Sequence, residues 1–154
     1  IPYFKKLLAN GEKKLPLTDP EMTRFFIKLN EGIDFVIRSL STMNGGEIFV
    51  PKIKSIRIVD LINFLAGANN YYITGVRAGE KLHEIMIPKE EARLCIDMDS
   101  YYIIRPVFKW WNTNHLDEKL SLGKIVGKEF EYISSNRSLL MDEKEIKKIL
   151  GEID

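Results

Sequence analysis

The sequence has few of the residues that build the most easily recognised sites. In 154 residues it has one cysteine, Cys95, and two histidines, His83 and His115. A single cysteine excludes an internal disulfide and fits a reducing compartment. With the histidines far apart in the chain there is no zinc pattern, and no metal is expected. His83 reads as a structural hydrogen-bonding group. No glycine-rich G-x-G-x-x-G occurs, so there is no fingerprint for a dinucleotide pyrophosphate. Gly123-Lys124-Ile125-Val126-Gly127-Lys128 only echoes a phosphate loop: its spacing is one residue short, and Glu129 stands where a serine or threonine is needed. No apolar run approaches the ~18–20 residues that span a bilayer, and no basic, then apolar, then small-residue signal opens the chain. An excess of one charge is missing too. Lysine and arginine number 23 against 22 acids, a net charge of +1, so neither nucleic acid nor an anionic membrane is expected as the main partner. Any anion binding must be local.

What is present suits one globular domain. Hydrophobic residues make up 45% and charged residues 29%, and a chain of this length buries roughly 68–70% of its unfolded surface. The chain opens Ile1-Pro2-Tyr3-Phe4, without methionine and inside an apolar pattern, which leads us to expect a piece of a longer polypeptide. Apolar spacing predicts a helix over 2–10, with Tyr3, Phe4, Leu7 and Leu8 on one face. A proline-containing edge strand is expected at Leu15-Pro16-Leu17-Thr18, then a turn and a short strand up to Ile27. An amphipathic helix over 30–43 is expected to bury Ile33, Val36, Ile37 and Leu40. Ile48, Phe49 and Val50 predict a strand. Ser55 suits the cap of a helix whose face is Ile58, Leu61, Ile62 and Leu65 and which ends at Gly67. Further strands are expected at 71–76 and 101–104, short helices at 79–84 and 88–95, and an extended piece at 130–134. A loop is expected at 110–115, and a terminal helix with Ile146, Ile149 and Leu150 on one face. Met22, Met86, Met98 and Met141 read as core filler, and the 142–145 run as a solvated first turn. No repeat or low-complexity tract appears. The pattern is that of an α/β unit of short strands and connecting helices.

The stretch with most chemical content is Gly75-Val76-Arg77-Ala78-Gly79-Glu80-Lys81-Leu82-His83-Glu84. It places a cation, glycines and carboxylates in a turn after a predicted strand. Arg77 offers a planar fork that matches phosphate oxygens, the N–H groups of a helix start favour the same anion, and Glu80 can accept from sugar hydroxyls. The same residue types also suit a solvated turn with a surface ion pair. By residue types alone the solvated turn is the favoured reading.

A second stretch bears on that choice. Leu15-Pro16-Leu17-Thr18-Asp19-Pro20-Glu21-Met22-Thr23-Arg24-Phe25-Phe26-Ile27 resembles a signature of extended short-chain dehydrogenase/reductase enzymes that act on nucleotide sugars. More narrowly, it is similar to the group of inverting UDP-N-acetylglucosamine 4,6-dehydratases and capsular polysaccharide biosynthesis proteins. Glu47-Ile48-Phe49-Val50-Pro51-Lys52, the Gly75–Glu84 stretch, Asp99-Ser100-Tyr101-Tyr102-Ile103-Ile104 and Tyr132-Ile133-Ser134-Ser135-Asn136 resemble that group in the same order. The resemblance covers essentially the whole chain, and it is to the smaller, C-terminal, substrate-binding half of such enzymes. It implies that residues 1–154 form one substrate-binding portion of a Rossmann-type α/β parent. The NADP-binding and catalytic residues would belong to an N-terminal half not in this chain. No tyrosine here is followed by a lysine four positions on, the pair that short-chain dehydrogenase chemistry uses.

Binding roles carry over residue by residue. Arg24 and Arg77 would grip the diphosphate of a UDP-sugar from two sides, Glu80 would hold the uridine ribose hydroxyls, and the strand at Leu15 and Leu17 would offer backbone groups and apolar surface to the uracil. Ala78 stands where the family more usually has proline, which suggests a slightly looser turn. The implied parent reaction passes a hydride from sugar C4 to NADP, eliminates water across C5 and C6, and returns the hydride to C6 with C5 inverted. Its product is a 4-keto-6-deoxy UDP-sugar for surface polysaccharide or flagellar glycan. The parent is expected to be a cytoplasmic, NADP-dependent homo-oligomer, membrane-anchored in some relatives through upstream segments. This chain without its other half is expected to be inactive, to bind no cofactor and to self-associate. An epimerase or reductase of the same superfamily, or a stand-alone binding module without turnover, are the alternative readings.

Overall fold

A computed structural model describes residues 1–107 and 122–151; the loop expected at 110–115 lies outside them. The elements in order are α1 Pro2–Ala9, β1 Leu15–Leu17, β2 Thr23–Phe25, α2 Leu29–Thr42, β3 Ile48–Pro51, β4 Ser55–Arg57, α3 Ile58–Ala66, β5 Tyr71–Ile73 and β6 Ile85–Ile87. A 3-10 turn, Lys89–Leu94, then leads to β7 Cys95–Asp97, β8 Tyr101–Ile104, β9 Lys124–Ile125 and β10 Tyr132–Ile133. A second 3-10 turn, Arg137–Leu139, precedes α4 Glu143–Gly151. Among these residues no helix is long and apolar enough to cross a membrane. The expected class, α/β with short strands and connecting helices, is the class observed. The residues gather into two compact units. One takes Ile1–Phe26, Lys54–Glu84 and the chain from Ser134; the other takes the described parts of Ile27–Ile53 and Ile85–Ile133.

In the first unit β1 pairs parallel with β5, Leu15 opposite Tyr71 and Leu17 opposite Ile73, and β2 pairs antiparallel with β4. Alternation along β1 sends Leu15 and Leu17 inward and leaves Pro16 half-buried. α3 is apolar on more than one side and serves two clusters. Val59 and Ile62 join Leu15 and Leu17, with Phe4, Leu7 and Leu8 of α1 packed on them. Leu61 joins Ile56 and the inner face of α4, Ile146 and Leu150. Asp142 and Glu145 form a capping box at the start of α4: the Glu145 N–H donates to Asp142 Oδ1 at 2.8 Å, and the Asp142 N–H to Glu145 Oε2 at 2.9 Å. The run expected to be merely solvated therefore fixes the helix start.

In the second unit a four-stranded antiparallel sheet runs β3-β8-β7-β9, and β10 pairs with β6. Val50, Ile87, Cys95, Ile96, Tyr102, Ile103 and Tyr132 are buried. The Tyr102 ring lies 5.2 Å from that of Tyr132, and Tyr132 Oη donates to Ile53 O at 2.9 Å. Lys52 bonds Asp97 and the Met98 carbonyl, and its Nζ stands 4.8 Å from the Tyr102 ring centre. A Cβ on Gly123 would fall 2.6 Å from Ile96 Cγ2 and 2.7 Å from Asp97 O. The glycine of the phosphate-loop echo is thus needed for close packing against β7.

Four expectations fail for physical reasons. Ser55 is not a helix cap. It lies in β4, fully buried, with its hydroxyl unpartnered among the described residues, because pairing with β2 outcompetes local capping; α3 starts after Arg57 instead. Residues 79–84 form no helix, since Gly79 has φ +80° and closes a turn. Residues 88–95 give a 3-10 turn that ends before Cys95, which is drawn into β7. The most instructive departure is α2, which forms as expected but leaves Ile33, Val36, Ile37 and Leu40 exposed.

Candidate functional site

The predicted site residues other than the two leucines converge on β2 and the segment between β5 and β6. Thr23 N–H donates to Leu82 O at 3.1 Å, which lays that segment beside β2 on the edge away from β4. Beneath the contact lies a small polar network. Ser134 Oγ is 2.6 Å from Thr23 Oγ1 and accepts the Glu84 N–H at 2.9 Å, and Thr23 Oγ1 is 2.9 Å from His83 Nδ1. Thr23 and Ser134 are buried. Their hydroxyls have no water to turn to and must satisfy one another. His83 is the structural hydrogen-bonder it was expected to be. Ser134 and Thr23 lie in stretches that carried the resemblance, but their role shows only once a contact 111 residues apart in sequence is made.

On this base sits Arg24, half-buried. Its Nη1 donates to Thr23 O at 2.7 Å and to Leu82 O at 3.1 Å, and its Nη2 to Lys81 O at 2.8 Å. Glu84 Oε1 lies 3.5 Å from its Nε, and Glu80 Oε1 lies 3.8 Å from its Nη2. Most of the fork is therefore spent on closing the 80–84 segment onto β2. A bidentate grip on a phosphate by Arg24 requires release of the Lys81 and Leu82 carbonyls, so in this arrangement Arg24 contributes charge more than donors.

Arg77 is placed differently. It opens a four-residue turn in which the Glu80 N–H donates to Arg77 O at 3.0 Å, and Gly79 at the third position has φ +80°. This matches a type II turn, where the second position, here Ala78, favours proline. The Arg77 N–H donates in return to Glu80 Oε2 at 3.2 Å. The Arg77 side chain is exposed and has no hydrogen-bond or ion-pair partner among the described residues. A locked turn presenting an unspent guanidinium is suited to an anion that arrives from solvent. The helix start invoked for the same anion is absent. Glu80 keeps lone pairs for further donors, since a carboxylate offers about four acceptor positions.

Leu15 and Leu17 are 0% exposed and belong to the core. Their side chains cannot provide the apolar surface expected for a base; strand alternation turns them away from it. The Leu17 carbonyl already accepts the Thr74 N–H at 2.9 Å. β5 runs into a glycine-containing turn, and β6 rather than a helix follows it.

The model of a family described as "Polysaccharide biosynthesis protein" matches residues 1–106. The chain belongs to the polysaccharide biosynthesis protein family. Among its relatives in that company is the UDP-N-acetylglucosamine 4,6-dehydratase (inverting) of Campylobacter jejuni, 43% identical over 160 aligned residues that cover all of this chain and 47% of the relative. The UDP-glucose 4-epimerase of Rickettsia akari is 30% identical over 158 residues, covering all of this chain and 45% of that protein. The X-ray structure of Pen from Bacillus thuringiensis shares the fold, with a TM-score of 0.77 over 99% of this chain and 45% of Pen, at 22% identity. The chain spans about half the length of the curated relatives it matches. The family resemblance read from the motifs is thereby shown.

Proposed function

We propose that this chain is the nucleotide-sugar-binding portion of an inverting UDP-N-acetylglucosamine 4,6-dehydratase, which makes a 4-keto-6-deoxy UDP-sugar for surface polysaccharide or flagellar glycan synthesis. The observation that carries the proposal is the unspent Arg77 guanidinium on a turn locked by Glu80, in a chain 43% identical to such a dehydratase. Arg77 takes the diphosphate through charge-assisted hydrogen bonds, each contributing roughly 1.5–3 kcal/mol. Glu80 accepts from the ribose hydroxyls with the lone pairs left over from Arg24 and the Arg77 N–H. Arg24 holds the 80–84 segment in place and adds positive potential. The uracil would meet backbone groups of β1 and its Pro16 face, not the Leu15 and Leu17 side chains. A grip on UDP lets binding energy remote from the reacting carbons hold the hexose in position. NADP and the groups that move protons belong, on this reading, to the other half of the parent, a cytoplasmic or membrane-anchored homo-oligomer.

The epimerase reading has its own support in the Rickettsia relative, at lower identity. Product analysis separates the two. The longer protein is incubated with UDP-N-acetylglucosamine and the nucleotide sugars are resolved by mass spectrometry and proton NMR. The dehydratase reading expects a product lighter by one water, with a C6 methyl signal. An isomer of unchanged mass would favour the epimerase, and binding of UDP without any conversion would favour a stand-alone binding module.

A further inference from the structure

A groove lies along α3 and the start of α4. It is formed within the first unit and shares no residue with the candidate site. Its volume is about 590 Å³, and Asp60, Phe64 and Ala68 line it from one side and Met141, Glu143 and Ile146 from the other. Asp60 and Phe64 are four residues apart and share a face of α3. The floor is apolar: Ile146 is buried and Met141 half-buried, whereas Phe64 is 37% exposed and meets no other ring among the described residues. The charge is of one sign. No residue lining the groove is basic, in a chain with 23 basic residues. Both carboxylates are available. Glu143 is exposed and has no hydrogen-bond or ion-pair partner among the described residues. Asp60 has one ion pair, to Arg57 Nε at 3.9 Å, between side chains 41% and 39% exposed, and such a pair contributes little. Glu145 of the same helix is engaged by contrast, with Lys54 at 3.4 Å and with the Asp142 N–H.

We propose that this groove is a docking site for a partner protein that presents an arginine next to an apolar side chain. Charge complementarity selects that chemistry. A free aromatic face and two available carboxylates over an apolar floor attract one kind of group together, a guanidinium on an apolar stem. Arginine lays its plane on a ring and forks to carboxylates, and its weak hydration lowers the cost of bringing it to an apolar floor; a lysine ammonium is a strongly hydrated point charge and does neither. The groove is open to solvent along its length. A small molecule bound in a pocket has about 70–90% of its surface covered, which an open groove does not provide. A polypeptide segment instead gains from several side chains anchored at once, with arginine among the residues that contribute most.

The probe is a fluorescein-labelled peptide, Gly-Leu-Arg-Phe-Leu-Arg-Gly, titrated with the longer protein and followed by anisotropy. Its control has both arginines replaced by citrulline, which keeps the shape and removes the charge. The proposal expects saturable binding that is about tenfold weaker for the citrulline peptide. Glu143→Gln and Phe64→Leu should each weaken binding by about three- to fivefold. Glu129→Gln, which removes an exposed carboxylate of the other unit, should leave it unchanged. The comparison of the two peptides uses the unaltered protein, so it does not depend on how any variant folds. Four results would overturn the proposal. One is no binding by the unaltered protein, as when the remaining polypeptide or a second copy already fills the groove. Another is equal binding of the two peptides. A third is a loss with Glu129→Gln as large as that with Glu143→Gln, which means adherence to any acidic surface. The last is displacement of the peptide by an equal concentration of argininamide, which assigns the groove to a small cation. None of these residues belongs to the UDP site, so failure here leaves the proposed function untouched.

Discussion

Replacing Ser134 by alanine removes one oxygen from the centre of the polar network and tests whether that network holds the site. Ser134 is 0% exposed. Its Oγ accepts the Glu84 N–H at 2.9 Å and lies 2.6 Å from Thr23 Oγ1. The variant leaves the Glu84 N–H without a partner, which costs about 1–3 kcal/mol for a buried group. Glu84 is only half-buried, so water recovers part of this and the lower end applies. The lost bond to Thr23 adds roughly 0.5–1.5 kcal/mol, and Thr23 keeps His83. The expected total is about 2 kcal/mol, read as a shift of the urea midpoint at constant slope. Thr23→Val should cost a similar amount. The double variant should fall short of the sum by about 1 kcal/mol, as expected for groups in one network. A loss below about 0.5 kcal/mol with strict additivity would show that the hydroxyls do not hold the segment carrying Glu80 and Glu84, and the account of the site would fail at its base.

Three further outcomes follow from other parts of the molecule. Ala78→Pro should stabilise the chain by about 0.4–1 kcal/mol, because the second position of a type II turn suits proline and the Ala78 N–H makes no bond among the described residues; a loss of stability would mean that the 77–80 turn is not of this type. Gly123→Ala should cost about 1–3 kcal/mol in urea unfolding, since the new methyl meets the Asp97 carbonyl as well as the Ile96 side chain, whereas a neutral result would contradict the packing of that segment on β7. Stability should also fall at high pH. Burial, and then Asp97, push the Cys95 thiol from 9.0 to about 11 and the Tyr102 hydroxyl from 10.0 to about 12. The unfolded chain gives up those protons first, so the stability is complete below about pH 9 and declines between about pH 9 and 12. Thermal unfolding across that range, with Tyr102→Phe flattening the upper part, checks it.

Much of the fold is legible from local pattern. α1, α2, β1, β8 and α4 rest on apolar spacing, on proline in a short edge strand, or on runs of β-prone residues, and their predicted spans lie close to those observed. What was not legible depends on contacts distant in sequence. Ser55 has the look of a cap, yet β2 claims it as a strand. Cys95 ends a helical pattern in sequence and starts β7 in space. Gly79 reads as a helix neighbour until its φ shows that it turns the chain. The site divides in the same way. Arg77 and Glu80 could be singled out from a cation, a glycine and a carboxylate in one turn. That Arg24 is largely spent on the Lys81 and Leu82 carbonyls could not, because those bonds join residues 57 and 58 apart. Leu15 and Leu17 misled for a simple reason: alternation fixes that two leucines share a face, but not whether that face looks to a ligand or to the core.

Titration calorimetry of UDP with the longer protein, wild type against Arg77→Ala, tests the central claim most directly. Arg77 has no partner to lose among the described residues, so the substitution should leave stability within about 0.5 kcal/mol. The account predicts saturable UDP binding that weakens by about 2–3 kcal/mol, roughly 30- to 150-fold, when the guanidinium is removed. An unchanged affinity, with the protein folded, would contradict the assignment of Arg77 and with it the reading of this turn as the diphosphate site.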